Sequence, residues 1–233
     1  MKKLLLLVSC LVFFVAHSFA QSSDIVRVKV GEDPAKKFSP YGFYRFPTFS
    51  EGVAVFKHGG TTTAKFNYHL LNEEMQFIAT NGDTLALADP FSIKYITVDS
   101  SLYYYSDGYV EVIENSEPLK LARKLRLDTK WEKIGAYGQP SPSGSIRTPN
   151  RIILGNTVGT NLTLNQDIVI QKDYTYFWLD KYGTVLKATK ANLLKFLPPD
   201  TKGIVEDYLK KNNIDFRKES DLRKLFQYSL SLM

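Results

Sequence analysis

The stretch Gln76-Phe77-Ile78-Ala79-Thr80-Asn81-Gly82-Asp83-Thr84-Leu85-Ala86-Leu87 decides the fold. Two short runs rich in strand-forming residues flank an Asn-Gly turn, and that spacing predicts a tight hairpin. The pattern recurs at Tyr174-Thr175-Tyr176-Phe177-Trp178-Leu179, which passes through Lys181-Tyr182-Gly183 into Thr184-Val185-Leu186. Alternation with a period near two runs through Ile25 to Val30, Val53 to Lys57 and Thr63 to Tyr68, as expected of strands with one buried face. The separators Gly59-Gly60 and Asp107-Gly108 are turn chemistry as well. Strands so closely spaced leave no room for crossover helices, which excludes a doubly wound parallel sheet. The expected fold is α+β and mainly β, an antiparallel meander forming a curled sheet, roll or sandwich, with a small three-helix tail at the C-terminus.

The tail changes period. Thr189 is placed to cap a short helix carrying Leu193, Leu194, Phe196 and Leu197, which Pro198-Pro199 stops. Asp200 or Thr201 then opens a second helix with Ile204, Val205, Tyr208 and Leu209 on one face, ending at Asn212-Asn213. Ser220 is expected to cap a third that buries Leu222, Leu225, Phe226 and Ser229. Phe226, Tyr228, Leu230 and Leu232 also alternate, which would suit the last strand of an outer-membrane barrel, but the helical register of Leu222 and Phe226 contradicts that reading.

At the other end, Lys2 and Lys3 precede an apolar stretch from Leu4 to Ala16 and a small-x-small exit at Ser18-Phe19-Ala20. These are the three parts of a cleaved signal peptide, and the apolar stretch is shorter than the roughly 20 residues a spanning helix needs. The expected domains are therefore a signal over residues 1–20, a β-rich domain over 21–188 and a helical tail over 189–233. A Gly, Pro and Ser-rich loop is expected near residues 138–150. Leu7-Val8-Ser9-Cys10 has the form of a lipidation signal, but cleavage there would strand the apolar residues Leu11 to Val15 at the new terminus. Cys10 is the single cysteine. Its loss with the signal leaves a mature chain without disulfides, thiol nucleophiles or cysteine metal sites.

The signal takes two of the 30 basic residues and none of the 24 acidic ones, leaving 28 against 24, a net charge of +4. The basic residues are scattered among acids, which argues against a nucleic-acid partner. The sharpest local candidates for chemistry are His58 and His69 on neighbouring strands, with Glu73 or Glu74 as a third metal ligand; no helical HExxH spacing supports them. Asp99, Asp107, Glu111 and Glu114 offer carboxylate pairs of the kind glycoside hydrolysis needs. No serine elbow or phosphate-binding glycine loop occurs, and Asn161-Leu162-Thr163 matters only in a glycosylating host. Aromatic residues cluster at Tyr41 to Phe49 and at Tyr103-Tyr104-Tyr105 with Tyr109. Consecutive tyrosines on a strand face opposite ways, and the covering element expected for them is the helical tail.

Phe49-Ser50-Glu51-Gly52-Val53-Ala54-Val55-Phe56-Lys57, then Phe66-Asn67-Tyr68-His69-Leu70-Leu71-Asn72-Glu73-Glu74-Met75-Gln76-Phe77-Ile78 and Asn81-Gly82-Asp83-Thr84-Leu85, resemble a group of exported bacterial proteins of unassigned activity. The tail is similar to theirs too, with an Asp-x-x-Gly turn at Asp180 to Gly183, then Lys190, Leu193-Leu194, Phe196 and an Ile-Asp-Phe ending. This resemblance implies export and architecture and brings no catalytic residue. The expected function is a non-enzymatic envelope or secreted binding or structural module, with an envelope protein or a glycan as partner and no cofactor. The alternative is an extracytoplasmic hydrolase or metal-dependent enzyme with an unrecognised site. The sequence leaves oligomeric state and the exact compartment open.

Overall fold

The computed structural model describes residues 25–32, 37, 42–132, 146–147 and 167–233. The expected signal peptide, Cys10, the Asn161 sequon and the expected loop near 138–150 lie outside them, apart from Ile146–Arg147 within that stretch.

Among the described residues, twelve strands form one antiparallel sheet: β1 (Ile25–Val28), β2 (Ser50–Phe56), β3 (Thr61–His69), β4 (Glu74–Ile78), β5 (Thr84–Ala86), β6 (Ile93–Val98), β7 (Ser101–Tyr105), β8 (Tyr109–Asn115), β9 (Leu119–Glu132), β10 (Ile146–Arg147), β11 (Asp167–Asp180) and β12 (Val185–Lys187). They lie in the order β1-β11-β9-β8-β7-β6-β2-β3-β4-β5, with β10 beside β9 and β12 beside β11. Three helices follow, α1 (Lys190–Phe196), α2 (Lys202–Asn212) and α3 (Glu219–Leu230). The mainly β architecture with a helical C-terminus is the one expected.

One turn geometry is used three times. At Phe56–Gly60, Ala79–Asp83 and Asp180–Thr184 the first residue's N–H reaches the fifth residue's carbonyl, and the fourth residue's N–H reaches the first residue's carbonyl. The fourth residue is Gly59, Gly82 or Gly183, at φ +91, +90 and +84. That is a left-handed conformation that favours glycine, and it gives the Asp-x-x-Gly pattern its physical basis. In the last turn the Asp180 carboxylate also accepts from the N–H groups of Tyr182 and Thr184, at 2.9 and 2.8 Å.

The sheet curls until its walls meet, but it does not close. Strand β3 is separated from β7 by β2 and β6, yet the Tyr68 ring lies 6.1 Å from that of Tyr103 and 6.1 Å from that of Tyr109 on β8. Leu127 on β9 donates its N–H to the Leu70 carbonyl just past β3, at 3.1 Å. The resulting roll is filled by Ala54, Phe66, Met75, Ile96, Val98 and the tyrosines, along with Leu125, Leu127, Ile168 and Ile170 from β9 and β11.

The 14-residue strands β9 and β11 pair along their whole length, and one face of this ribbon serves two cores. Leu125, Leu127, Ile168 and Ile170 point into the roll, while Leu119, Leu121, Tyr176 and Trp178 lie under the helices with Leu193, Val205, Leu222, Leu225 and Phe226. Trp178 is fully buried and donates its indole N–H to the Thr189 carbonyl at 3.3 Å. Thr189 caps α1 as expected, accepting from the Asn192 N–H. Thr201 stands at the start of α2 but its hydroxyl donates to the Pro198 carbonyl instead of capping, and Asn213 ends the helix in a left-handed conformation. Helix α3 begins at Glu219, so Ser220 lies inside the first turn and is not the cap. Glu219 and Asp221 supply acidic charge where the helix dipole favours it. The tyrosine expectation also needs correcting: Tyr103 is buried within the roll and not beneath the helices, because the curl brings β3 over it.

Gly52 fits where no side chain would. A Cβ there would come within 2.3 Å of the Thr97 carbonyl oxygen on β6 and 2.8 Å of the Phe66 ring. Gly52→Ala is expected to lose about 1–3 kcal/mol through overpacking, measured as a lower midpoint in urea unfolding.

Candidate functional site

Tyr103, Glu111, Arg123 and Tyr176 stand in one row across β7, β8, β9 and β11, since the register pairs Tyr103 with Glu111, Glu111 with Arg123 and Arg123 with Tyr176. The row crosses the inner face between the two cores. Glu111 is its centre, with a side chain only 8% exposed. A buried carboxylate is tolerated only where its charge is matched and its lone pairs are filled. Arg45 meets it with two hydrogen bonds, Nε to Oε2 at 3.1 Å and Nη2 to Oε1 at 2.9 Å. Arg123 adds Nε to Oε2 at 3.2 Å, and the Ser101 hydroxyl donates to Oε1 at 3.3 Å.

Arg45 reaches Glu111 from the far wall of the roll. Its segment runs beside the end of β3, with the Arg45 N–H on the Tyr68 carbonyl at 2.9 Å and the Leu70 N–H on the Phe43 carbonyl at 2.7 Å. Asn67, almost fully buried, fixes the bend that follows. Its amide donates to the Phe46 and Thr48 carbonyls at 2.9 and 3.1 Å and accepts from the Phe46 N–H at 3.1 Å.

The row continues into the helical tail. Arg123 Nη1 meets Glu219 Oε2 at 3.0 Å, and Glu219 Oε1 accepts from Arg223 Nε and Nη2 at 3.0 and 2.8 Å. A bulge in β8 around Ile113 turns its carbonyl toward Arg223, which donates to it at 3.0 Å and also pairs with Glu114. Gln227 completes the line at 3.4 Å from Glu114. Glu219, Arg223 and Gln227 are four apart and so share one helix face. Helix α3 thus presents an apolar row to the ribbon and a polar row to β8.

The electrostatics favour the charged forms of Glu219, Arg45 and Arg123. Burial alone would raise Glu219, but the hydrogen bond from Arg223 and the charge of Arg123 hold it below the ordinary carboxylate value. Burial opposes the charge on Arg45 and Arg123, and Glu111 overrides it in both, with Glu219 assisting at Arg123, so that both guanidinium groups stay above their usual value. Burial, with negative Glu219 nearby, pushes the Tyr176 phenol up to about 12.

The residues singled out in the sequence fall elsewhere. His58 is exposed in the β2–β3 turn with its ring 5.4 Å from Phe56. His69 ends the nine-residue strand β3, roughly 25 Å away along it. There it stacks on Phe43 at 5.8 Å and meets Tyr44 edge-on at 4.9 Å, and its Nδ1 accepts the Asn72 N–H at 3.1 Å. Burial holds His69 below its ordinary pKa. Glu73 forms an ion pair with Lys124 at 3.1 Å, and Glu74 lies opposite His69 in the β3–β4 register. The structure therefore does not bring His58 and His69 together, and among the described residues no three His, Cys, Asp or Glu side chains gather closely enough to hold a metal ion. Asp99 and Asp107 sit at exposed turns with φ +51 and +49, while Glu111 and Glu114 are bound by arginines. Arg45, Arg123, Glu219 and Arg223 escaped sequence reasoning. The spacing of Glu219 and Arg223 was the only local signal, because the other contacts of these four residues join positions 12 to 110 apart.

No family model matches the sequence, and no solved structure matches it. The chain is similar to the phosphoribosylaminoimidazole-succinocarboxamide synthase of Bacteroides thetaiotaomicron, at 28% identity over 145 residues. That stretch is 62% of this chain and 43% of the synthase, so the chain spans less than half the length of the curated relative it matches. No helix among the described residues is long and apolar enough to cross a membrane.

Two outcomes test the site. Arg123→Met leaves Glu111 and Glu219 each short of a partner, and is expected to lose about 3 kcal/mol, read from urea unfolding. Because the Glu219 pKa is lowered in the folded state, its stabilisation is complete above the ordinary carboxylate range and is lost as pH falls through the lowered value. Glu219→Gln should therefore be less stable than wild type at pH 7, and the gap between their urea midpoints should close toward pH 3.

Proposed function

We propose that the chain is an exported envelope or secreted binding module without catalytic activity, holding a rigid β-rich surface toward an envelope protein or a glycan. The observation that carries this reading is the saturation of Glu111. A general acid or base needs a pKa near the working pH and a free approach for its substrate. Glu111 instead has both oxygens occupied by Arg45, Arg123 and Ser101, and Glu219 is held ionised by two arginines. These charges tie three parts of the chain together and so serve architecture. His69 is half-buried with one ring nitrogen already engaged. Export is supported by the arrangement of Lys2-Lys3, Leu4 to Ala16 and Ser18-Phe19-Ala20.

The synthase likeness brings no activity to this chain, since more than half of that protein lies outside the match. The aromatic side chains Phe91 and Tyr182, 69% and 78% exposed, are surface groups of the kind that stack on sugars or fill a partner's pocket.

Fractionation of a bacterial host making the full chain tests the address. The protein is expected in the envelope or medium with its N-terminus at Gln21, and a cytoplasmic chain that keeps residues 1–20 would overturn it. The purified mature chain is then mixed with isolated envelope glycan and with envelope proteins. Saturable retention that survives a chelator is expected, whereas turnover of either fraction would refute the non-enzymatic reading.

A further inference from the structure

Three phenol hydroxyls inside the roll have no hydrogen-bond partner among the described residues: those of Tyr68, Tyr103 and Tyr109. Each residue is at least 97% buried. Leaving a hydroxyl out of water without a partner is unfavourable, and here three such groups share one neighbourhood. Tyr68 comes from one wall and its ring contacts both of the others, at 6.1 Å each, from the opposite wall. Native interiors resolve such clusters with a bound molecule, and a buried water typically makes about three hydrogen bonds to groups that otherwise lack one.

The surroundings select the chemistry of the occupant. The charges nearest the cluster are already matched: Glu111 with Arg45 and Arg123 beside Tyr103, Glu73 with Lys124 and Arg126 with Asp173 on the Tyr68 side. An ion would arrive without a counter-charge, so the occupant is neutral. A phenol both donates and accepts, and an oxygen that also does both satisfies three of them at once. The cluster is joined to the surface by rings: Tyr109 meets Tyr105 at 5.0 Å, and Tyr105 meets the exposed Phe91 at 5.0 Å.

We propose that Tyr68, Tyr103 and Tyr109 form a binding site for one neutral hydrogen-bonding oxygen, which joins the two walls of the roll. The oxygen belongs to water or to the hydroxyl of a small ligand. The site is independent of where the protein resides.

The test is the sign of a stability change. Tyr68→Phe, Tyr103→Phe and Tyr109→Phe keep the rings and remove only the hydroxyls. Were the hydroxyls dry, each variant would match or exceed wild type, because an orphaned polar group has been deleted. The site predicts the opposite: each lowers the urea midpoint, and the triple variant loses less than the three single losses added together, since the first change already loosens the shared oxygen. Tyr182→Phe, at an exposed turn, serves as a control and leaves the midpoint unchanged. The source of the oxygen is read on the full unmutated chain. Long-lived water cross-peaks to tyrosine ring protons in NMR spectra identify water. A rise in the urea midpoint with phenol, not matched by toluene and lost in the triple Phe variant, identifies a ligand hydroxyl. Unchanged or raised midpoints in the single Phe variants overturn the proposal, and so does the absence of both water cross-peaks and a phenol effect.

Discussion

The rest of the structure depends on one buried negative charge. Glu111 sits on the inner face of the curled sheet, where an unmatched carboxylate would force the roll apart. Two arginines prevent this, and each comes from a different part of the molecule. Arg45 belongs to the segment that Asn67 pins beside β3, so its two hydrogen bonds draw the opposite wall inward. Arg123 hands the charge pattern on to Glu219, which fixes the first turn of α3 over the ribbon. Apolar burial drives the collapse, and the alternating charges decide which wall and which helix turn meet. A helix slid by one turn would keep much of its apolar contact and lose Arg223 from both Ile113 and Glu114.

Much of this was legible along the chain, because it is written in neighbouring residues. The hairpins at Asn81-Gly82 and Asp180 to Gly183, the Thr189 cap and the apolar face of α3 all arise within ten residues of their cause. A curled sheet was among the expected forms, but the contact between its walls was not legible. It depends on strands distant in sequence approaching across the interior, which period-two alternation does not report. For the same reason Glu111 and Glu114 read as free acids, though each is tied to arginines brought in by folding. Tyr103 shows the limit well: its burial was expected from its neighbours on the strand, but the element that covers it is β3 and not the tail.

The candidate metal ligands failed to converge for a simple geometric reason. Neighbouring strands bring residues together only when the register places them opposite one another, and His58 and His69 occupy the two ends of the same hairpin arm. Register also explains the site that was missed. Glu111 and Arg123 are directly opposed, and an opposite-charge pair so placed stabilises two strands only when something fills the remaining lone pairs.

The strand order has a kinetic side. β1 lies against β11, with Ile25 opposite Gln171, so one edge of the sheet waits for a partner made almost 150 residues later. The ribbon of β9 and β11 likewise keeps Leu119, Leu121 and Trp178 uncovered until α3, at the end of the chain, arrives to shield them. Distant pairings of this kind form slowly and leave sticky surface exposed until they do. In a nascent copy these apolar side chains therefore stay uncovered until α3 has been made and can dock.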